Sequence, residues 1–212
     1  MIRGPRDAGP GLVQGPVARA PGFRLPVARL LAGLALVGLL AACAARPPVP
    51  WASLPGDSVL GAGDPTRAAI ITTAYAFGAT SVLANDPGLA AEAVARLEYL
   101  SVEIPTGPRW ISFNPLAGVM LQQGAARARE ALAIAPGAPP QAVIDGLFAV
   151  RRALVAGDRA AAEAALYPAV FTAGGAGTIT RLASLPPNPE AAAGGRFALR
   201  EMTRSDPDLD WP

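Results

Sequence analysis

Residues 68–84, AAIITTAYAFGATSVLA, form a run of 17 uncharged residues. A helix that is apolar on every side belongs either in the centre of a bundle or in a membrane. Thr72, Thr73, Gly78, Thr80 and Ser81 lower the hydrophobicity of this run, which also sits at the short limit of the roughly 17–25 residues needed to cross hydrocarbon. The reading adopted is a central helix over 65–84 whose small residues let its neighbours approach closely. A membrane span over 68–84 is the alternative.

The punctuation around this run is helical. Asp64-Pro65, Asp86-Pro87, Asn114-Pro115 and Asn188-Pro189 each place an Asx residue before a proline. The Asx side chain accepts otherwise unpaired N–H groups of a first helical turn, and proline suits the position after it. Helices are expected over 65–84, 87–102, 115–134, 140–156, 158–168 and 189–203, with Gly157-Asp158 reading as a glycine stop followed directly by a new cap. Leu89, Ala93, Leu97 and Leu100 share one face of the second helix, while Glu92 and Arg96 are spaced to pair at i,i+4 on another. Val143, Leu147, Val150 and Leu154 repeat the pattern in the fourth helix. No strand alternation stands out, although 102–113 and 169–180 have room for short extended pieces. The expected fold is therefore all-α: a single bundle of about five to six helices over 64–204, packed around the central apolar helix (65–84). An acidic tail follows at 205–212.

A second apolar run lies upstream. Residues 30–42, LLAGLALVGLLAA, follow Arg29 and end at Cys43, the single cysteine of the chain. Thirteen residues are too few for a permanent span but suit the apolar core of a secretory signal. Leu40-Ala41-Ala42-Cys43 resembles the lipobox of bacterial lipoproteins. That resemblance implies that residues 1–42 are a signal peptide that is removed, and that Cys43 becomes an N-terminus carrying a thioether-linked diacylglycerol and an amide-linked acyl chain. Chains in that number anchor a protein stably where one would be marginal. Ala44 stands where enterobacterial lipoproteins kept in the inner membrane carry Asp, so the resemblance favours the periplasmic face of the outer membrane.

Residues 1–29 hold five Arg and one Asp, and ten of the first 26 residues are Gly or Pro, so no regular structure is expected there. A start of translation near Val27 would leave a shorter basic region of more usual length. The chain has 18 basic and 16 acidic residues. Removing the five Arg and one Asp before Cys43 leaves 13 against 15, a net of −2, so the part after the cut has no basic excess for nucleic acid. Residues 43–63 then read as the lipidated N-terminus and a Pro/Gly-rich tether, in which Pro47, Pro48, Pro50 and Pro55 favour extended backbone. Trp51 within it would rest on the membrane interface, rest on the domain, or be incidental to a linker.

The residue types missing from the chain narrow its chemistry. It has no His, and all its basic residues are Arg. That removes Ser-His-Asp and Cys-His nucleophiles, His- and Cys-based zinc sites and the phosphate loop that needs Lys; no cofactor or metal is implied. Carboxylates, Tyr, Ser/Thr and Arg remain. A paired-carboxylate enzyme would draw on Glu92, Glu98, Glu103, Glu130, Asp145 and Glu163. Asp145, flanked by apolar residues, is expected to pair with Arg151 or Arg152. Gly174, Gly175 and Gly177, with Arg181, read either as a flexible connection before a short helix or as an anion cradle. The loop 106–113 collects Arg109, Trp110, Ile111 and Phe113, residue types enriched in interface hot spots. Arg109, Trp110 and Phe113 are therefore the candidate partner contact, with a lid closing one end of the core as the other reading. The function expected is that of a lipid-anchored envelope protein, non-catalytic, binding an envelope protein partner or a small apolar ligand. An enzyme built on carboxylates and Arg is the alternative.

Overall fold

The structure, a computed structural model, describes residues 50–59 and 63–205. The expected signal segment 1–42, the expected lipidation site Cys43 and the tail residues 206–212 lie outside the described residues.

The described chain is all-helical, with seven packed α-helices: α1 Pro65–Gly78, α2 Pro87–Thr106, α3 Pro115–Leu132, α4 Pro140–Val155, α5 Arg159–Ala164, α6 Gly174–Ala183 and α7 Pro189–Arg204. All four Asx-Pro starts operate as expected. Asp64 accepts from the N–H groups of Thr66 and Arg67, Asp86 from Leu89, Asn114 from Leu116, and Asn188 from Ala191. Asp158 caps α5 by accepting from Ala161, and Gly157 before it has φ +75°, a conformation that costs glycine little. Asn188 also donates from Nδ2 to the Gly124 carbonyl at 2.8 Å, so this cap ties α7 to α3. Extended pairing among the described residues is confined to one isolated bridge, Ile134 with Phe171.

The run 68–84 is not one helix. α1 stops at Gly78, a 3₁₀ turn follows at Thr80–Val82, and Asn85 has φ +62°. The turn carries Leu83 back into the core and sets Asp86 to cap α2. At 14 residues α1 is shorter than a span requires, and among the described residues no helix is long and apolar enough to cross a membrane. α1 also turns Ile71 and Tyr75 to solvent, so it is not enclosed on all sides. The central position goes to α2, which lies against α1, α3, α4 and α6. The expected face holds, since Ala93, Leu97 and Leu100 are buried. Ala90, Ala91, Val94, Ala95 and Tyr99 are buried too, because alanines on the other sides let neighbouring helices close in. Two glycines of α7 do the same. A Cβ on Gly195 would lie 2.9 Å from Ala74 Cα in α1, and one on Gly194 would lie 2.9 Å from the Leu121 nitrogen in α3.

The Gly-rich stretch is a helix rather than a flexible connection. It forms the first turn of α6, where Gly175 runs so close to the Glu163 carbonyl that a Cβ would sit 2.2 Å from its oxygen.

The described part of the tether is not free. Residues 50–59 form a strap lying along α4. Ser53 N–H donates to Gln141 Oε1 at 2.7 Å, and Gln141 Nε2 returns a bond to the Ser53 carbonyl at 3.2 Å. Ala52 and Leu54 pack on the core. Asp57 takes a two-pronged bond from Arg152 at 2.6 and 2.8 Å, and the Ser58 carbonyl accepts from Arg96 at 2.9 Å. The Arg152 guanidinium holds the Asp57 carboxyl below its ordinary range.

Candidate functional site

The turn between α2 and α3 is built from both flanking caps. α2 ends at Thr106, a 3₁₀ turn runs over Pro108–Trp110, and the N–H groups of Trp110 and Phe113 donate to the carbonyls of Gly107 and Trp110 at 3.1 and 2.9 Å. Asn114 N–H donates to Glu201 Oε2 at 2.8 Å, which pins the far end of the turn to α7.

Trp110 and Phe113 are buried, at 5% and 6% exposure. Their rings meet edge to face with centroids 4.9 Å apart, the arrangement aromatic quadrupoles favour. Trp110 Nε1 donates to Glu103 Oε1 at 3.1 Å, so the indole's polar atom is satisfied. The two rings thus pack over this end of the core and offer little surface to solvent. Arg109 does face solvent. Its guanidinium stands 4.7 Å from the centroid of the Trp110 ring and is ion-paired with Asp64. Burial opposes ionisation of Asp64, but N–H bonds from Arg67 and Thr66 and the charge of Arg109 outweigh it and hold the carboxyl below its ordinary range.

Ile111, part of the same loop but not of the candidate contact Arg109, Trp110 and Phe113, is 90% exposed. It stands at the rim of a groove of about 420 Å³ lined by Ile104, Pro105, Trp110, Phe113 and Val119. Leu116 and Val119 are also exposed for large apolar residues. The groove is within the volume range of small-molecule and side-chain pockets. The sequence signal for Ile111 is its place as an aliphatic residue directly after the Pro108–Trp110 turn, where a side chain has few neighbours to cover it.

The other candidates resolve differently. Each of the 12 described carboxylates has a hydrogen-bond or ion-pair partner, as three of them show. Asp145 is exposed and accepts from Gln141 at 2.8 Å, because Arg152 is taken by Asp57 and Arg151 by Glu92. Glu92 also pairs with Arg96 at 2.7 Å, as its spacing predicts. Glu98, nearly fully buried, accepts from Arg129 through both oxygens. Arg181 reaches the Ala131 carbonyl at 3.1 Å rather than the glycine turn. Among the described residues no group of three or more His, Cys, Asp or Glu is placed to hold a metal ion. No protein-family model matches the chain, and comparison with curated proteins and with solved structures gave no match.

Proposed function

We propose that the chain is a lipid-anchored, non-catalytic protein of the cell envelope, acylated at Cys43, that presents its helical domain on the periplasmic side, with the outer membrane favoured, and binds a partner protein. The binding half of this reading is carried by one observation: Ile111 stands almost fully exposed at the rim of the groove behind which Trp110 and Phe113 are packed. An aliphatic side chain left in water on a turn pinned at both ends presents contact area at low entropic cost. Arg109, fixed by Asp64 and by the Trp110 ring, supplies a directional polar contact on the same turn. The engagement of the described carboxylates in caps and ion pairs supports a structural rather than a catalytic role for them. The anchor half rests on Leu40-Ala41-Ala42-Cys43 and the apolar run before it.

The two halves are tested separately on the native protein. Mass spectrometry of the mature N-terminus should show an acylated Cys43 followed by Ala44; an unmodified Cys43 still joined to Ala42 would overturn the anchor. A photo-crosslinker placed at Ile111 in membranes should give one discrete adduct, whereas the same group at exposed Ala160 on α5 should not. Identical patterns from both positions would overturn the contact.

A further inference from the structure

We infer that the strap seats the helical domain directly against the lipid bilayer, with the Trp51 indole in the headgroup layer. The inference rests on the anchoring proposed at Cys43 and adds to it what the anchored domain touches.

The first step is length. Were residues 44–63 a free tether, the domain would range well away from its anchor. Residues 52–58 are instead bound to α2 and α4 through Gln141, Arg152 and Arg96, with Leu54 packed on the core. What is left between Cys43 and Ala52, the first held residue, is nine residue steps. An extended chain covers at most about 3.3–3.6 Å per residue, so the lipid-bearing residue lies within roughly 32 Å of Ala52. A domain of this size has a radius of gyration of about 14–15 Å. The anchor therefore cannot let the domain leave the surface by as much as its own width. The region where the strap enters, at the start of α4, stays near the bilayer.

The second step is what stands at that point. Trp51 is 69% exposed although the next residues are held in place, in contrast to Trp110 at 5%. Tryptophan, with a large apolar body and one N–H donor, concentrates where membrane meets water. The surroundings suit that layer. Residues 50–56, PWASLPG, carry no charge, and neither do residues 131–142, ALAIAPGAPPQA, which contain the strap's partner Gln141. Approach to the bilayer therefore buries no unpaired charge from these segments. Two exposed acids lie nearby, Asp57 on the strap, paired with Arg152, and Asp145, one turn along α4 from Gln141; both stay in the hydrated headgroup region.

The test uses the full, natively acylated protein in vesicles of phosphatidylethanolamine and phosphatidylglycerol (3:1), with a fraction of lipids brominated near the headgroup end of the acyl chain. In a Trp211→Phe background, only Trp51 and the buried Trp110 emit. The Trp51 contribution, defined by difference from Trp51→Phe, should be mostly quenched, with its emission shifted to shorter wavelength than in detergent-free denaturant. Acylation of Cys43 is read by mass spectrometry on the same preparation. Unquenched Trp51 in protein with acylated Cys43 overturns the seat and leaves the anchor standing. Unacylated Cys43 overturns the anchor, and the seat falls with it. Trp51 that is quenched by pure lipid vesicles carrying no other protein supports the bilayer as the occupant, and Trp51 shielded only when other envelope proteins are present overturns it.

Discussion

Replacing Glu98 with Ala should lower the unfolding free energy by about 3–5 kcal/mol, the cost of leaving a buried charge without its partner. Glu98 lies in the middle of α2, the most enclosed helix, and is 3% exposed. Both its oxygens accept from the Arg129 guanidinium on α3, and Arg129 Nη1 goes on to the Ala138 carbonyl at 3.1 Å in the connection to α4. One side chain thus joins α2, α3 and the α3–α4 connection. Removing the carboxylate strands a cation whose side chain is only 19% exposed. In a domain of this size the midpoint should fall by on the order of 10 °C. The double variant Glu98→Leu with Arg129→Met should recover most of the loss, since apolar replacement of a whole buried pair is often neutral or stabilising. Thermal unfolding of the three proteins checks this. A loss under about 1 kcal/mol for Glu98→Ala, the range for exposed pairs, would show that the pair is open to water.

The contrast with Glu92 and Arg96 shows where sequence reasoning has reach. That pair was legible because both partners sit one turn apart on one helix, and geometry along a single helix is fixed by its period. The four Asx-Pro starts were legible for the same reason: a cap is made by residues two or three apart. Glu98 and Arg129 are 31 positions apart, and nothing local distinguishes Glu98 from a solvated acid. The misplacement of the centre has a related cause. The run 68–84 is more apolar than α2, so composition puts it inside. Burial depends on how many neighbours an element has, and α2 is enclosed because its alanines let α1, α3, α4 and α6 approach. The stop at Gly78 was written in the sequence, in a glycine followed by Thr80 and Ser81, but the uninterrupted apolar character masked it. The strap was missed for the opposite reason. Prolines and glycines signal the lack of regular structure, and they say nothing about whether an irregular segment is bound. Gln141, Arg152 and Arg96 bind it, and none of them is near it in sequence.

Replacing Trp110 with Ala should cost about 3–5 kcal/mol, the range for truncating a large aromatic in a core. The indole is buried, meets Phe113 edge to face, and satisfies Glu103; truncation removes all three and opens the groove behind Ile111 into the core. Trp110→Phe keeps a ring and loses the bond to Glu103, and it should cost less than Trp110→Ala. Arg109→Ala should matter far less to stability, since an exposed ion pair is worth roughly 0.2–1 kcal/mol. These differences decide how the turn can be probed for binding. Failure of Trp110→Ala to engage a partner would report a damaged fold, whatever the turn contacts. Ile111→Ser changes a side chain that is already in water, so it should leave the midpoint almost unchanged, and any loss of the crosslinked adduct then belongs to the contact itself. Should Trp110→Ala leave the midpoint unmoved, the indole lies outside the core in solution, and the aromatic pair rather than Ile111 becomes the surface offered to a partner.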